Sequence, residues 1–189
     1  MRVTDYTAGM ITNWGAHHID IALWGMGDKA RSPVELTGKA DFPKDGLWDV
    51  HEKFSLAYTY ASGVRLLCAS QGEFRQGILF EGSEGWVFVR RGFIEAHPKS
   101  VLSTKLKQGD VRLYKSFDHQ ANFIECIKSR KLPAAPAVVG HRANTACLIG
   151  EIAMNVNGKL IWDTEREQFL NSNEANQLVT YPMRSPWHV

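Results

Sequence analysis

The sequence predicts an α+β fold, with a large, mostly antiparallel, open β-sheet of about six or seven strands and helices packed on one face. Changes in hydrophobic period predict this class. Apolar residues recur at helical spacing over residues 16–24, alternate with polar residues from residue 54 onward, and return to helical spacing after residue 118. Residues 1–189 are therefore expected to form a single domain, with a sheet between helical segments.

The middle of the chain has the pattern of successive short strands. Residues 54–60 alternate apolar with polar or small side chains, which is typical of a strand with one buried face. Ser62-Gly63 leads into a second strand and residues 81–85 join two more, and links this short connect antiparallel neighbours. Further extended segments are predicted at residues 33–40, 93–96, 100–106 and 159–163.

Three helices are predicted around the sheet. Asn13 is the predicted N-cap of the first, because an Asn side chain accepts a hydrogen bond from the free amides of a helix start. Ile124 and Ile127 are predicted to face inward on the second. The three helices span residues 16–24, 118–130 and 138–156.

Composition excludes several classes of protein. The 22 Lys and Arg and 20 Asp and Glu are scattered and give a formal net charge of +2, so the basic patch of a nucleic-acid-binding protein is missing. No apolar run approaches the roughly 18 residues of a membrane span. The three cysteines lie in apolar stretches without Cys-x-x-Cys spacing, which favours reduced thiols and a cytoplasmic location.

Residues 13–20, Asn-Trp-Gly-Ala-His-His-Ile-Asp, are the candidates for chemistry. On a helix, Asn13 and His17 lie one turn apart on one face, and Asp20 overlaps it. The imidazole could exchange a proton with a substrate hydroxyl, while Asn13 could bind substrate and Asp20 could fix the tautomer of His17. The alternative is structural: a capping Asn13, a packing Gly15 and an interior His17.

This segment resembles the motif that opens the C-terminal domain of the Gfo/Idh/MocA oxidoreductases, Asp-x-Gly-x-His-x-x-Asp at a helix start. His17 matches the family's catalytic histidine, Gly15 its glycine and Asp20 its later acid. Asn13 stands where many members have aspartate. The resemblance covers nearly the whole chain, since the turn at residues 81–85 and the later helices come in the family's order. The tail is similar to a bacterial subgroup with many planctomycete members.

The resemblance implies the substrate-side domain of an NAD- or NADP-dependent sugar or cyclitol dehydrogenase, in which His17 and Asn13 are catalytic. Arg75 lies in a polar stretch between two glycines, and His141 follows a glycine at a helix start. Either could contact a sugar, although both are also typical of surface positions. The expected substrate-binding residues are Asp20, Trp14, His141 and Arg75.

The nucleotide-binding half of such an enzyme is expected elsewhere. The sequence has no Gly-x-Gly-x-x-Gly between a strand and a helix, and no Glu-Lys-Pro, the segment that supplies the family's catalytic lysine. The resemblance therefore implies that a separate Rossmann domain binds NAD or NADP. Residues 1–189 alone are expected to bind no cofactor or metal and to be inactive.

Three alternatives stay open. One is part of an NAD-requiring glycosidase of similar fold. Another is a non-catalytic module that forms a homo-oligomer through the open sheet, because the outward residues Ser55, Ala57 and Thr59 are small enough for sheet-to-sheet contact. The third is a zinc site built from His17, Asp20 and the distant His51.

Overall fold

The protein is described by a computed structural model that covers residues 2–27, 32–70, 72–156, 158–181 and 183–187. The chain divides into two compact units, Met1–Gln76 with Arg142–Val189, and Gly77–His141. Within the described residues, the strands pair antiparallel into a five-stranded and a three-stranded sheet. The α+β class is therefore confirmed, and the predicted strands are shared between two sheets.

The bounds of the elements follow the hydrophobic pattern of the sequence. In chain order the strands are β1 (Pro33–Asp41), β2 (Lys53–Tyr60), β3 (Arg65–Ala69), β4 (Ile78–Gly82), β5 (Gly85–Arg90), β6 (Phe93–His97), β7 (Lys159–Asp163) and β8 (Gln168–Phe169). The helices are α1 (Ala16–Met26), α2 (His119–Ser129), α3 (Ala137–Asn155) and α4 (Asn173–Gln177). The three predicted helices and all but one of the predicted strands are confirmed to within a few residues.

The extended segment predicted at residues 100–106 is wrong. Lys99–Ser103 form a short 3-10 helix, which the apolar residues in this stretch do not reveal. The hydroxyl groups of Ser103 and Thr104 both donate to the carbonyl of Ser100, at 2.9 and 3.3 Å. Such local side-chain hydrogen bonds favour a turn over a strand.

The first unit is built on the five-stranded sheet, whose strands lie in the order β3-β2-β1-β7-β8. Every second residue of β2 from Phe54 to Tyr60 is buried, as the alternation predicts. Strand β7 comes from much later in the chain and pairs with β1, where Leu160 lies opposite Leu36. Both leucines are buried, so β7 extends the apolar face that β1 and β2 begin.

Helix α3 lies unusually close to this apolar face. An ideal Cβ on Gly38 of β1 would be 2.7 Å from the backbone carbon of Ala153, and a Cβ on Gly150 would overlap the Tyr58 hydroxyl. Tyr58 Oη donates to the carbonyl of Ala146 at 3.0 Å. Two glycines, which have no side chain to separate the layers, and one buried hydrogen bond therefore set the distance between α3 and the sheet.

The second unit contains the three-stranded sheet, in the order β4-β5-β6, and helix α2. The ends of α2 follow ordinary capping chemistry. The Asp118 carboxylate accepts from the amide of Ala121 at 2.8 Å, and Arg130 ends the helix with a left-handed φ of 58°.

The predicted inward face of α2 is wrong. Ile124 and Ile127 are 49% and 47% exposed, and the buried residue of the helix is Asn122. Its amide nitrogen donates to Tyr114 Oη at 2.8 Å, and its amide oxygen accepts from the backbone of Ala134 at 2.9 Å. These hydrogen bonds satisfy the amide and hold the polar face of α2 against its flanking coil.

Gly38→Ala tests the close approach of α3. The added methyl group is expected to lower the free energy of unfolding by about 1–3 kcal/mol, because α3 would have to move away from β1. Urea denaturation measures this. Gly140→Ala in α3 is the matched control, since the described residues leave open space around its Cβ, and it should be neutral or stabilising by up to about 1 kcal/mol. Equal losses in both variants would contradict the close approach.

Candidate active site

The candidate site begins in a π-helix, Ile11–Gly15, that continues directly into α1. The amide of Gly15 donates to the carbonyl of Met10 at 2.9 Å, which is the five-residue spacing of a π-turn. The predicted N-cap at Asn13 is therefore wrong. Helical backbone already begins at Met10, and Asn13 lies inside the wider turn. Single π-turns within helices are frequent at functional sites.

Gly15 has a packing role in this turn. The residue is buried, and an ideal Cβ on it would lie 3.0 Å from Ile11 Cδ1 and 3.3 Å from the Met10 carbonyl oxygen. Ile11 is completely buried in the core. The absence of a side chain at Gly15 lets the π-helix close over Ile11, so the structural alternative accounts for this residue.

An aromatic group forms where the π-helix meets α1. The Trp14 ring lies 5.8 Å from the centroid of the His17 ring in an edge-to-face arrangement and 5.8 Å from that of His18. Trp14 is 36% exposed, and His17 is also exposed. His17 is therefore not an interior histidine, and its ring can be reached by a small molecule.

Asp20 lies half-buried on the next turn of α1. Burial raises the pKa of its carboxyl group, and the positive charge that His17 can bear acts in the opposite direction. The two groups are thus close enough to influence each other.

Four of the six predicted site residues lie together because they are neighbours in the sequence, and the other two belong to other elements of the chain. Arg75 is exposed in the coil between β3 and β4. His141 is exposed on α3 and belongs to the second compact unit. The residues that share the π-helix and α1 are Asn13, Trp14, His17 and Asp20.

The cysteines of the first unit are not candidate nucleophiles. Burial raises the pKa of the Cys68 thiol to about 11 and that of Cys147 to about 12. Thiols with such pKa values are almost entirely protonated at neutral pH and react slowly. Both lie in or against the apolar core under α3.

The zinc hypothesis grouped His51 with His17 and Asp20, but the imidazole of His51 contacts Glu151. Its Nδ1 lies 3.0 Å from Glu151 Oε2, and the side chain of His51 is fully buried. In the described ranges, no group of three or more His, Cys, Asp or Glu side chains is arranged to hold a metal ion. Sequence reasoning missed this pair, since the two residues lie on distant parts of the chain.

A depression of about 620 Å³ lies on the open face of the five-stranded sheet. It is formed by the outward residues of β1, β2 and β3 and by neighbouring backbone. None of its lining residues belongs to the π-helix or α1. The side chains that matter for its shape are Thr37, Ser55, Ala57 and Leu67.

The fold combines antiparallel sheets with packed helices, and the first α-helix carries the exposed His17. Residues 2–189 match the oxidoreductase family, C-terminal alpha/beta domain, of the Gfo/Idh/MocA type, and the chain belongs to this family. No curated protein sequence matches it. Within the described part of the chain, no helix has the length and hydrophobicity needed to cross a membrane.

Solved structures with the same fold come from several bacteria. A Listeria innocua NAD-binding protein has a TM-score of 0.58 and 15% identity over 81% of this chain and 47% of its own. An Agrobacterium radiobacter oxidoreductase, crystallised with NAD+, L-tartaric acid and magnesium, has a TM-score of 0.53 and 11% identity over 80% and 48%. A Bacteroides fragilis protein has a TM-score of 0.51 and 13% identity over 85% of this chain and 55% of its own. The chain spans about half the length of these proteins.

The raised pKa of Asp20 predicts a pH-dependent effect of Asp20→Asn. Because the folded state raises this pKa, the ionised carboxylate destabilises the fold once the pH exceeds the folded value. The variant should therefore be more stable than the parent at pH 7. The difference should shrink as the pH falls through the raised value and vanish below the unfolded value near about 4. Urea denaturation at pH 7 and at a pH below the unfolded pKa measures this difference. The exposed Asp5→Asn is the control. A gain in stability that does not depend on pH would contradict the prediction.

Proposed function

We propose that this domain provides the substrate side and the proton-transfer group of an NAD- or NADP-dependent sugar or cyclitol dehydrogenase. The observation that carries the proposal is the exposed imidazole of His17 at the start of α1, in contact with Trp14 and close to Asp20. An imidazole can accept the proton of a substrate ring hydroxyl when that hydroxyl is oxidised to a carbonyl. It can return a proton when the carbonyl is reduced. His17 is the group assigned this role.

The neighbours of His17 suit a polyhydroxylated ring. Trp14 exposes part of a flat apolar surface, against which the C–H face of a sugar or cyclitol can stack. Asn13 is half-buried in the π-helix, and its amide can both donate to and accept from hydroxyl groups. Asp20 lies close enough to His17 for the charges of the two side chains to interact.

The cofactor would be held by a different domain. The sequence lacks the glycine-rich turn between a strand and a helix on which a dinucleotide pyrophosphate binds. Hydride transfer is the chemistry that a bound nicotinamide supplies. The residues of this chain would bind the substrate, orient the reacting hydroxyl and move its proton at the His17 ring.

His17→Gln tests this proposal in the product of the complete gene. Glutamine keeps hydrogen-bonding atoms but cannot transfer a proton near neutral pH, so kcat/KM is expected to fall by about 10²–10⁴-fold. Nicotinamide absorbance with a panel of sugars and cyclitols measures turnover. His119→Gln, at the exposed start of α2, is the matched control and should have a much smaller effect.

Two results would contradict the assignment. Turnover by residues 1–189 alone, mixed with NAD or NADP, would show that no second domain is needed. Full activity of His17→Gln would remove His17 from the reaction. Release of aglycone from aryl glycosides by the complete protein would instead favour the NAD-requiring glycosidase.

The open face of the five-stranded sheet supports a second role, self-association into a homo-oligomer. The residues at its centre are small, since Ala57 of β2 lies between Thr37 of β1 and Leu67 of β3. Leu67 is 51% exposed. An open sheet face with the small Ala57 at its centre and an exposed leucine beside it can pack against the same face of a second copy around a two-fold axis.

Ala57→Arg tests self-association through this face. A long cation at the centre of a self-complementary surface meets its own copy across the two-fold axis, so the oligomer is expected to dissociate. Light scattering coupled to size-exclusion chromatography measures the molar mass. Ala61→Arg, in the exposed β2–β3 turn, is the control and should leave the mass unchanged. A monomeric parent protein, or an oligomeric Ala57→Arg variant, would disprove this interface.

A further inference from the structure

A contact between a buried histidine and a glutamate lies next to the segment that leads into the π-helix. The imidazole of His51 has 0% side-chain exposure, and its Nδ1 is 3.0 Å from Glu151 Oε2 on α3. Phe54 and Phe42 face the ring edge-to-face at 4.9 and 6.2 Å. Among the described residues, neither ring nitrogen of His51 has a hydrogen-bond partner, nor has Glu151 Oε2, so the two side chains meet at ion-pair distance without hydrogen-bond geometry. Glu151 is the acidic side chain that contacts this buried ring.

The edge of the His51 ring lies directly under Gly9. An ideal Cβ on Gly9 would be 3.2 Å from His51 Cε1 and 3.4 Å from Nε2, and it would overlap the side chain of Val50. Gly9 also has a left-handed φ of 67°, which glycine adopts readily. The backbone at Gly9 can thus approach the ring more closely than any other residue would allow.

Gly9 immediately precedes Met10, where the helical backbone begins. Its amide donates to Thr7 Oγ1 at 3.2 Å, and its carbonyl accepts from Thr12 Oγ1 at 3.2 Å. The carbonyl of the next residue, Met10, accepts from Gly15 and closes the π-turn. A shift of Gly9 would therefore be passed to the turn that contains Asn13 and Trp14.

The face of α3 that carries Glu151 also carries Cys147, which lies near Asp20 of the candidate site. Cys147 and Glu151 are four residues apart on α3 and share a face. The carboxylate of Asp20 contributes to the raised pKa of Cys147, although burial is the main cause. Asn155 Nδ2 donates to Glu151 Oε1 at 3.3 Å.

We infer that His51 and Glu151 form a latch, the His51–Glu151 latch, that positions the π-helix and with it the side chains of the candidate site. His51 is a positioning residue, since it acts on His17 through Gly9 and the π-turn. Its importance for catalysis rests on the proposed function. Its effect on the geometry of the π-helix does not, and can be measured on the 189-residue chain without turnover.

The test is amide hydrogen exchange, with Glu151→Gln and His51→Phe as variants. Loss of the latch should raise the exchange rates of residues 9–15 by about tenfold or more, because this segment opens locally while the core stays folded. The amides of β2 should change far less. The ring resonances of His17 should also shift, which a general loss of stability would not cause while β2 stays protected.

Two comparisons make the result specific to the pair. The double variant should exchange no faster at residues 9–15 than the faster single variant. Either substitution already removes the contact, so the two effects do not add. Glu35→Gln breaks the exposed ion pair with Lys159, whose atoms are also 3.0 Å apart, and should leave residues 9–15 unchanged. If His51→Phe does not fold, Glu151→Gln and its control still decide the matter.

Exchange at residues 9–15 that is unchanged in Glu151→Gln, or that rises only in step with β2, would disprove the latch. Failure of the proposed function gives a different pattern. In that case the His17→Gln variant of the complete protein would keep its activity, while Glu151→Gln would still accelerate exchange in the π-helix.

Discussion

The close approach of α3 to the five-stranded sheet is the constraint on which the first unit depends. Gly38 and Gly150 leave out the side chains that would separate the two layers, and Tyr58 bridges them with a buried hydrogen bond. This distance sets the position of the inner face of α3. Because Glu151 lies on that face, the same contact decides whether its carboxylate can reach His51.

The proposed reactive groups and the proposed supporting groups differ in their place in the sequence. The proposed reactive groups are contiguous, from Asn13 to Asp20, and His17 is exposed. The supporting groups come from the loop before β2 and from α3, where His51 is buried and Glu151 is partly buried. Such a division lets the exposed groups meet a substrate while buried contacts restrict their geometry.

Much of the fold could be predicted from the sequence. Strand β7 and the outlines of α2 and α3 appear in the hydrophobic period, because side-chain direction repeats every two residues in a strand and every 3.6 in a helix. The period fails where local hydrogen bonds decide the structure. Ile124 suggests an inward face for α2, but the hydrogen bonds of Asn122 turn the polar side inward. Asn13 suggests a cap, but the π-turn begins before it.

The sequence by itself determined the α+β class, the order of the elements, and the grouping of Asn13, Trp14, His17 and Asp20, since all of these depend on residues that are near one another in the chain. Only the tertiary structure decided the division into two sheets, the exposure of His17 and the pairing of His51 with Glu151. Contacts between distant segments depend on how whole layers pack. No local pattern of residues specifies such a contact before the layers are in place.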